Sequence, residues 1–158
     1  IKRFKIINSI REFLNKNGYK IGIATNQACI ERNIISENDL RKIHDHMEKL
    51  LSEVGGEISF IAYCPHAPES NCGCRKPEVG LLKEIEEQFQ TSLKGKFFVG
   101  DKESDMLAGR GYGCKPLLIK KGGYGEKVYG TKNSPPPEHC FNTLEEAANY
   151  ILSVDEDI

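Results

Sequence analysis

Residues 58–89 read ISFIAYCPHAPESNCGCRKPEVGLLKEIEEQF. The first six form an apolar run of strand length. Residues 64–77 are polar and rich in proline and glycine, which mark a loop. After them, Val79, Leu81, Leu82, Ile85 and Phe89 recur at helical spacing. A buried strand that passes through a loop into an amphipathic helix is the repeating unit of an α/β domain. Pro77 suits the first position of that helix, where its missing N–H costs nothing.

The loop between strand and helix holds Cys64, His66, Cys72 and Cys74 in the pattern C-x-H-x5-C-x-C. Three thiolates and one imidazole make a closed tetrahedral shell for structural Zn2+. Three cysteines do not divide into disulfides, and a proline-rich polar stretch is a poor core. With four protein ligands the ion has no open position for chemistry. Arg75 and Lys76 follow the last ligand directly. The metal is therefore expected to hold the loop rigid and aim two cations at an anion: Arg75 by paired hydrogen bonds, Lys76 as a point charge.

The same alternation continues on both sides. Upstream, Phe4, Ile7, Ile10, Phe13 and Leu14 predict a helix over residues 4–16, stopped by Asn17-Gly18. Residues 20–25 read as a buried parallel strand ending in Thr25-Asn26-Gln27. Ser36 predicts an N-cap with Glu37 and Asp39 in the first turn. Leu40, Ile43, Met47, Leu50, Leu51 and Val54 mark that helix's buried stripe, and Gly55-Gly56 ends it.

Downstream, residues 96–100 predict a strand closed by Asp101. Residues 104–110 predict a short helix whose exit is eased by Gly109, Gly111 and Gly113. Residues 116–119 predict a strand and residues 120–138 a loop. A last helix is expected from a cap at Asn142 or Thr143 to about Leu152, followed by an acidic tail from Asp155. The result is a three-layer α/β, Rossmann-like domain with a mostly parallel sheet over residues 1–158 and a zinc-binding loop inserted at 64–74. In such sheets ligands bind beyond the carboxyl ends of the strands. Thr25-Asn26, the metal loop and Asp101 all fall at that edge. Asp101 and Asp105, four apart at a strand end, are candidates to hold Mg2+ through oxygen ligands, directly or through its water.

Composition narrows the function classes. Of 158 residues, 39% are hydrophobic and 28% charged, as in ordinary globular domains, and the net charge of -1 disfavours nucleic-acid or membrane binding by bulk electrostatics. No apolar run reaches the ~20 residues of a membrane-spanning helix. Scattered Cys29, Cys114 and Cys140 beside a metal-type cluster point to a reducing compartment, the cytoplasm.

In this order the residues resemble the haloacid dehalogenase superfamily of phosphatases. Thr25 matches its second motif, Lys76 its third, and Asp101 with Asp105 its fourth. T-N-Q, C-P-H…C-x-C-R-K-P and V-G-D-K together are similar to the zinc-loop histidinol- and heptose-phosphatases. Residues 26–47, V-G-D-K-E-S-D-M-x-A-G-R and G-G-Y-G lean toward the heptose branch.

The resemblance implies a Mg2+-dependent phosphomonoesterase that removes the 7-phosphate of D-glycero-D-manno-heptose 1,7-bisphosphate through an aspartyl-phosphate. Histidinol phosphate is the alternative substrate. It implies catalytic roles for Thr25, Lys76 and Asp101. Thr25, Asn26, Gln27, Ala28, Arg75, Lys76 and Lys102 would contact substrate. Mg2+ would sit on Asp101, with Asp105 acting indirectly. Gln27-Ala28-Cys29 departs from the Gln-Ser-Gly usual there. The family's nucleophile lies in a D-x-D at the end of a first strand. The only D-x-D here, Asp155-Glu156-Asp157, has no strand before it, so the nucleophile strand is expected upstream of Ile1. A monomer acting on a small sugar phosphate follows. A non-catalytic, zinc-stabilised domain that binds a phosphorylated ligand or partner is the alternative of another class.

Overall fold

A computed structural model describes residues 15–155. The expected helix over residues 4–16 therefore falls almost wholly outside the described residues; Asn15–Asn17 forms a 3-10 turn. Five strands follow: β1 (Gly22–Asn26), β2 (Phe60–Cys64), β3 (Phe97–Gly100), β4 (Lys115–Ile119) and β5 (Cys140–Phe141). Between and after them run α1 (Glu37–Ser52), α2 (Gly80–Phe89), α3 (Glu103–Tyr112), α4 (Gly125–Val128) and α5 (Leu144–Asp155). Every described strand pair is parallel. β1 pairs with β2 in the register Gly22↔Phe60 to Asn26↔Cys64. β3, β4 and β5 pair in that order.

Adjacent residues of a strand point to opposite faces. On β4, Leu118 packs with Met106 of α3 and Val128 of α4, whereas Leu117 packs with Ala147 and Ile151 of α5. On β3, Phe98 joins Leu82 and Ala108, while Phe97 and Val99 join the α5 side. Helices thus cover both faces, giving three layers. That double burial is why residues 97–100 and 116–119 read as uninterrupted apolar runs. Ala24 of β1 packs against both the Leu81–Ile85 cluster and the Leu82–Ala108 cluster, so α2 ties the two strand sets together.

The helix starts and stops are chemical. Ser36 Oγ accepts from Asp39 N at 3.1 Å and Asp39 Oδ2 accepts from Ser36 N at 3.1 Å, a full capping box. Gly113 ends α3 at φ 86°, where a side chain would be strained. Thr143 Oγ1 accepts from Glu146 N at 3.2 Å at the start of α5.

Four expectations are corrected. First, Ile43 is 55% exposed rather than part of the buried stripe of α1. Leu40, His44, Met47 and Leu51 set the helix phase, and His44 rests edge-on against Tyr63 of β2, with ring centroids 6.0 Å apart. Second, α2 begins at Gly80, not at Pro77. The chain first makes a turn, with Glu78 N bonded to Arg75 O at 2.8 Å and the Lys76–Pro77 peptide cis. Third, Gly109 and Gly111 lie inside α3; only Gly113 serves as its exit. Fourth, residues 120–138 are not all loop: they contain α4 and begin the 3-10 turn Pro137–His139, which leads into β5. The last helix reaches Asp155, and the rest of the acidic tail lies outside the described residues. No described helix is long and apolar enough to cross a membrane.

Leu117 is fully buried between β4 and α5. Truncating Leu117→Ala is expected to cost about 2–5 kcal/mol, whereas Ile43→Ala should stay within about 0.5 kcal/mol. Urea unfolding of the two variants checks both.

Candidate active site and metal centre

The four predicted metal ligands converge. Their ligating atoms lie within 4.8 Å of one another. Cys74 Sγ is 3.1 Å from Cys64 Sγ, and Cys72 Sγ is 3.5 Å from each. His66 Nδ1 stands 3.5 Å from Cys64 Sγ and 3.3 Å from Cys74 Sγ. A tetrahedral ion with bonds of about 2.3 Å needs ligand separations of about 3.8 Å. Five of the six separations, at 3.1–3.5 Å, fall a little short of this, and all the cysteines are free thiols. A soft donor set of three sulfurs and one imidazole fits Zn2+ and leaves no open position.

The metal-free thiols are not equivalent. Desolvation pushes Cys74 up to about 12, helped by the neighbouring thiols, and desolvation also raises Cys64. Desolvation acts to raise Cys72 too, but N–H donors from Arg75 and Cys74 outweigh it and bring that thiol down to about 6. Cys72 is thus the ready thiolate of the set.

The loop is anchored on both sides. Gly80 N bonds Gly73 O at 3.0 Å, and a Cβ on Gly80 would lie 2.5 Å from that carbonyl oxygen, so the loop rests directly on the start of α2. On the other side Gln27 N bonds Cys64 O at 2.7 Å and Glu31 N bonds Pro65 O at 3.2 Å. The Glu31 carboxylate also accepts from Ser70 Oγ and from Ala67 N. Those bonds, the Ser70 hydroxyl first, hold Glu31 below the usual carboxylate range.

Beside the loop lies a charged crevice at the carboxyl edge of the strands. Lys76 Nζ is 2.7 Å from Asp105 Oδ1 and 2.6 Å from Ala24 O, with the two side chains only 10% and 8% exposed. Along β1, Ile21 O and Gln27 N face β2, so odd-numbered backbone groups point that way. Ala24 O therefore points off the opposite edge of β1, and Lys76 ends there. Asp105 Oδ2 accepts from Asp101 N at 3.2 Å and from Lys102 N at 3.1 Å. Asp101 Oδ2 accepts from Tyr124 N at 3.3 Å, and Gly123 lies so close to this carboxylate that a side chain there would collide with it. Lys102 Nζ sits 4.7 Å from the centre of the Tyr124 ring.

The residues read from sequence thus share one region, but several spend their polar groups on one another. Asn26 donates to Lys76 O at 3.1 Å and accepts from Lys76 N at 3.0 Å, so its amide clasps the Lys76 main chain. Thr25 Oγ1 accepts from Gln27 Nε2 at 3.0 Å, and Gln27 Oε1 accepts from Cys29 Sγ at 3.4 Å. Ala28 offers its carbonyl to Arg32 N. Arg75 Nη1 donates to His66 O at 3.1 Å, leaning back on the metal loop. A cleft of about 180 Å³ opens beside it, between Asn71, Arg75, Lys76 and Glu78. Asp105 is buried against Lys76, which leaves Asp101 as the carboxylate suited to contact Mg2+ directly. Sequence reading missed Glu31, Tyr124 and the Ala24 carbonyl. Glu31 sits in a loop without periodicity, and a backbone carbonyl has no residue signature.

A three-layer parallel α/β domain with a Cys3His loop, a lysine–aspartate pair and a strand-end aspartate defines a haloacid dehalogenase-like phosphatase domain. The family described as Polynucleotide kinase 3 phosphatase matches residues 2–124, and the chain belongs to it. The chain is 38% identical over 141 residues to the D-glycero-beta-D-manno-heptose-1,7-bisphosphate 7-phosphatase of Pseudomonas aeruginosa, covering 88% of this chain and 77% of that one. Among solved structures it is similar to the D,D-heptose 1,7-bisphosphate phosphatase of B. bronchiseptica complexed with magnesium and phosphate. The TM-score there is 0.86 at 30% identity, over 94% of this chain and 82% of that one. The Burkholderia thailandensis enzyme of the same name gives a TM-score of 0.71 at 27% identity, over 93% and 83%.

Loading the cluster displaces thiol protons, because metal binds the thiolate. At pH 7.5, one Zn2+ per chain is expected to release about two protons, from Cys64 and Cys74, with Cys72 already ionised. A pH indicator in weakly buffered solution measures this; oxidised cysteines would release none.

Proposed function

We propose that the protein removes the 7-phosphate of D-glycero-D-manno-heptose 1,7-bisphosphate, as a cytoplasmic monomer that binds neither nucleic acid nor membrane. The observation that carries the reading is the convergence of Lys76, Asp105 and Asp101 beside a Cys3His loop, in a chain of this family. The site supplies fixed positive and donor groups where charge accumulates on a transferring phosphoryl group.

In this reading Lys76 Nζ, held by Ala24 O and Asp105, meets the phosphoryl oxygens, and the Thr25 hydroxyl donates to a second oxygen. Arg75, Lys102 and the chain at Gln27 and Ala28 orient the rest of the sugar phosphate. Asn26 acts through Lys76, whose backbone it holds. Asp101 would hold Mg2+, which when bound would supply positive charge to the phosphate. The metal loop stays outside the reaction and keeps Arg75 and Lys76 in place. The reaction also takes a nucleophilic carboxylate, expected at the end of a neighbouring strand. The Ala24 edge of β1, where Lys76 ends, suits that strand. Its first aspartate would attack phosphorus and form an aspartyl-phosphate while its second protonates the departing sugar oxygen, then takes the proton from the water that cleaves the intermediate.

The test is phosphate release by the full-length protein from the heptose bisphosphate and from histidinol phosphate, side by side. A kcat/KM at least about 100-fold higher for the heptose substrate is expected; the reverse order overturns the reading. Lys76→Ala should lower kcat by about 10³-fold with zinc content unchanged, and near-normal turnover would refute its role. Asn26→Ala should lower kcat by about 10-fold or more, since it frees the lysine without removing it. A pure rise in KM would instead make Asn26 a substrate ligand.

A further inference from the structure

The loop after β1 and the metal loop are joined at three places. Gln27 N reaches Cys64 O and Glu31 N reaches Pro65 O. The Glu31 carboxylate then spans to Ala67 N and, at 2.6 and 2.7 Å from its two oxygens, to Ser70 Oγ. Ala67 opens the 3-10 turn Pro68–Ser70, and its own side chain has no oxygen to cap it. Ala67 is also only 8% exposed, so its N–H needs an acceptor from the protein. Glu31 provides that acceptor from 36 residues away. The capped turn is the segment that separates His66 from Cys72.

The other end of the connection is equally specific. Residues 27–35 form a compact turn, with Ile30 N bonded to Gln27 O at 3.1 Å, Arg32 N to Ala28 O at 3.0 Å and Ile34 N to Cys29 O at 2.9 Å. These bonds tie Glu31's neighbours to Gln27, Ala28 and Cys29. A shift at Glu31 therefore reaches Gln27 and Ala28, the residues read as facing the sugar.

We propose that Glu31 is a positioning residue that couples the metal loop to the substrate-side loop, so that zinc retention and substrate affinity depend on each other through its carboxylate. Partners outside the ligand shell commonly tune metal affinity by 10–100-fold, and coupling between two sites acts in both directions. The kinetic half of this proposal rests on the substrate assigned above; the zinc half does not.

The experiment uses the zinc-loaded full-length protein as wild type, Glu31→Ala, Glu31→Gln and Ser70→Ala. Zinc release to a chromophoric chelator and steady-state kinetics on the heptose bisphosphate are measured in each. Glu31→Ala is expected to release zinc about 10-fold faster and to raise KM about 5-fold with little change in kcat. Glu31→Gln, which keeps an acceptor oxygen, and Ser70→Ala, which removes one partner, should fall between. Unchanged zinc release in Glu31→Ala overturns the clamp. Faster release with unchanged KM overturns the coupling and leaves Glu31 a structural residue. A wild type inactive on the heptose bisphosphate sinks the assigned substrate, while the zinc-release comparison still decides for or against the clamp.

Discussion

The ammonium of Lys76 is the point where the molecule's parts are forced to agree. It is nearly buried, and so is its partner Asp105. A charge removed from water is tolerated only when its partners are close and its remaining bonding capacity is filled. Here one partner is a carboxylate from α3 and the other is a carbonyl from the outer edge of β1. Asp105 is filled in turn by the N–H groups of Asp101 and Lys102. A single ion pair therefore fixes β1, the metal loop and the start of α3 relative to one another. Loss of either charge would strand the other in a poorly solvated place, which makes the pair an alignment device more than a source of net stability.

Holding Lys76 at the right point requires a rigid main chain, and the surrounding loop is short of regular hydrogen bonds. Two devices replace them. Asn26 clasps the peptide groups of Lys76 from the end of β1, and the Cys3His cluster pins the chain just before it. The cluster has its own charge problem. Three thiolates around one divalent ion leave one net negative charge. Arg75, bonded to the His66 carbonyl, supplies a compensating positive charge on the same loop. The Arg75 guanidinium thus leans on the metal loop.

Much of this is legible in the sequence. The metal ligands follow from residue chemistry and spacing alone, because no common core pattern places three cysteines and a histidine in eleven polar positions. The capping box at Ser36 is equally local, and the double-sided apolar runs of β3 and β4 announce a covered parallel sheet. What was not legible is relational. Helical spacing marks which residues of α1 are apolar, but the contact of His44 with Tyr63 decides which of them is buried, and Ile43 loses. Two-residue β5 is too short to carry periodicity. Pro77 satisfies the rule for a helix start, yet the chain must first bond Glu78 back to Arg75 before α2 can begin. Sequence shows where the Asn26 amide sits but not that it bonds the Lys76 main chain.

The charges of the crevice would also suit a divalent cation. Asp101 and Asp105 are balanced by Lys76 and Lys102, so the four groups sum to zero. A phosphate dianion entering this partly buried place would add two negative charges to that balance. In low-dielectric surroundings two unbalanced charges are far costlier than in water. Asp105 is committed to Lys76, so it offers little to an incoming ion, whereas among the described residues the Asp101 carboxylate accepts from the Tyr124 N–H alone. One divalent ion on Asp101 would restore neutrality with the phosphate present. The two carboxylates four residues apart are thus placed differently: the inner one fixes a lysine, and the outer one would suit a divalent cation arriving with the phosphate.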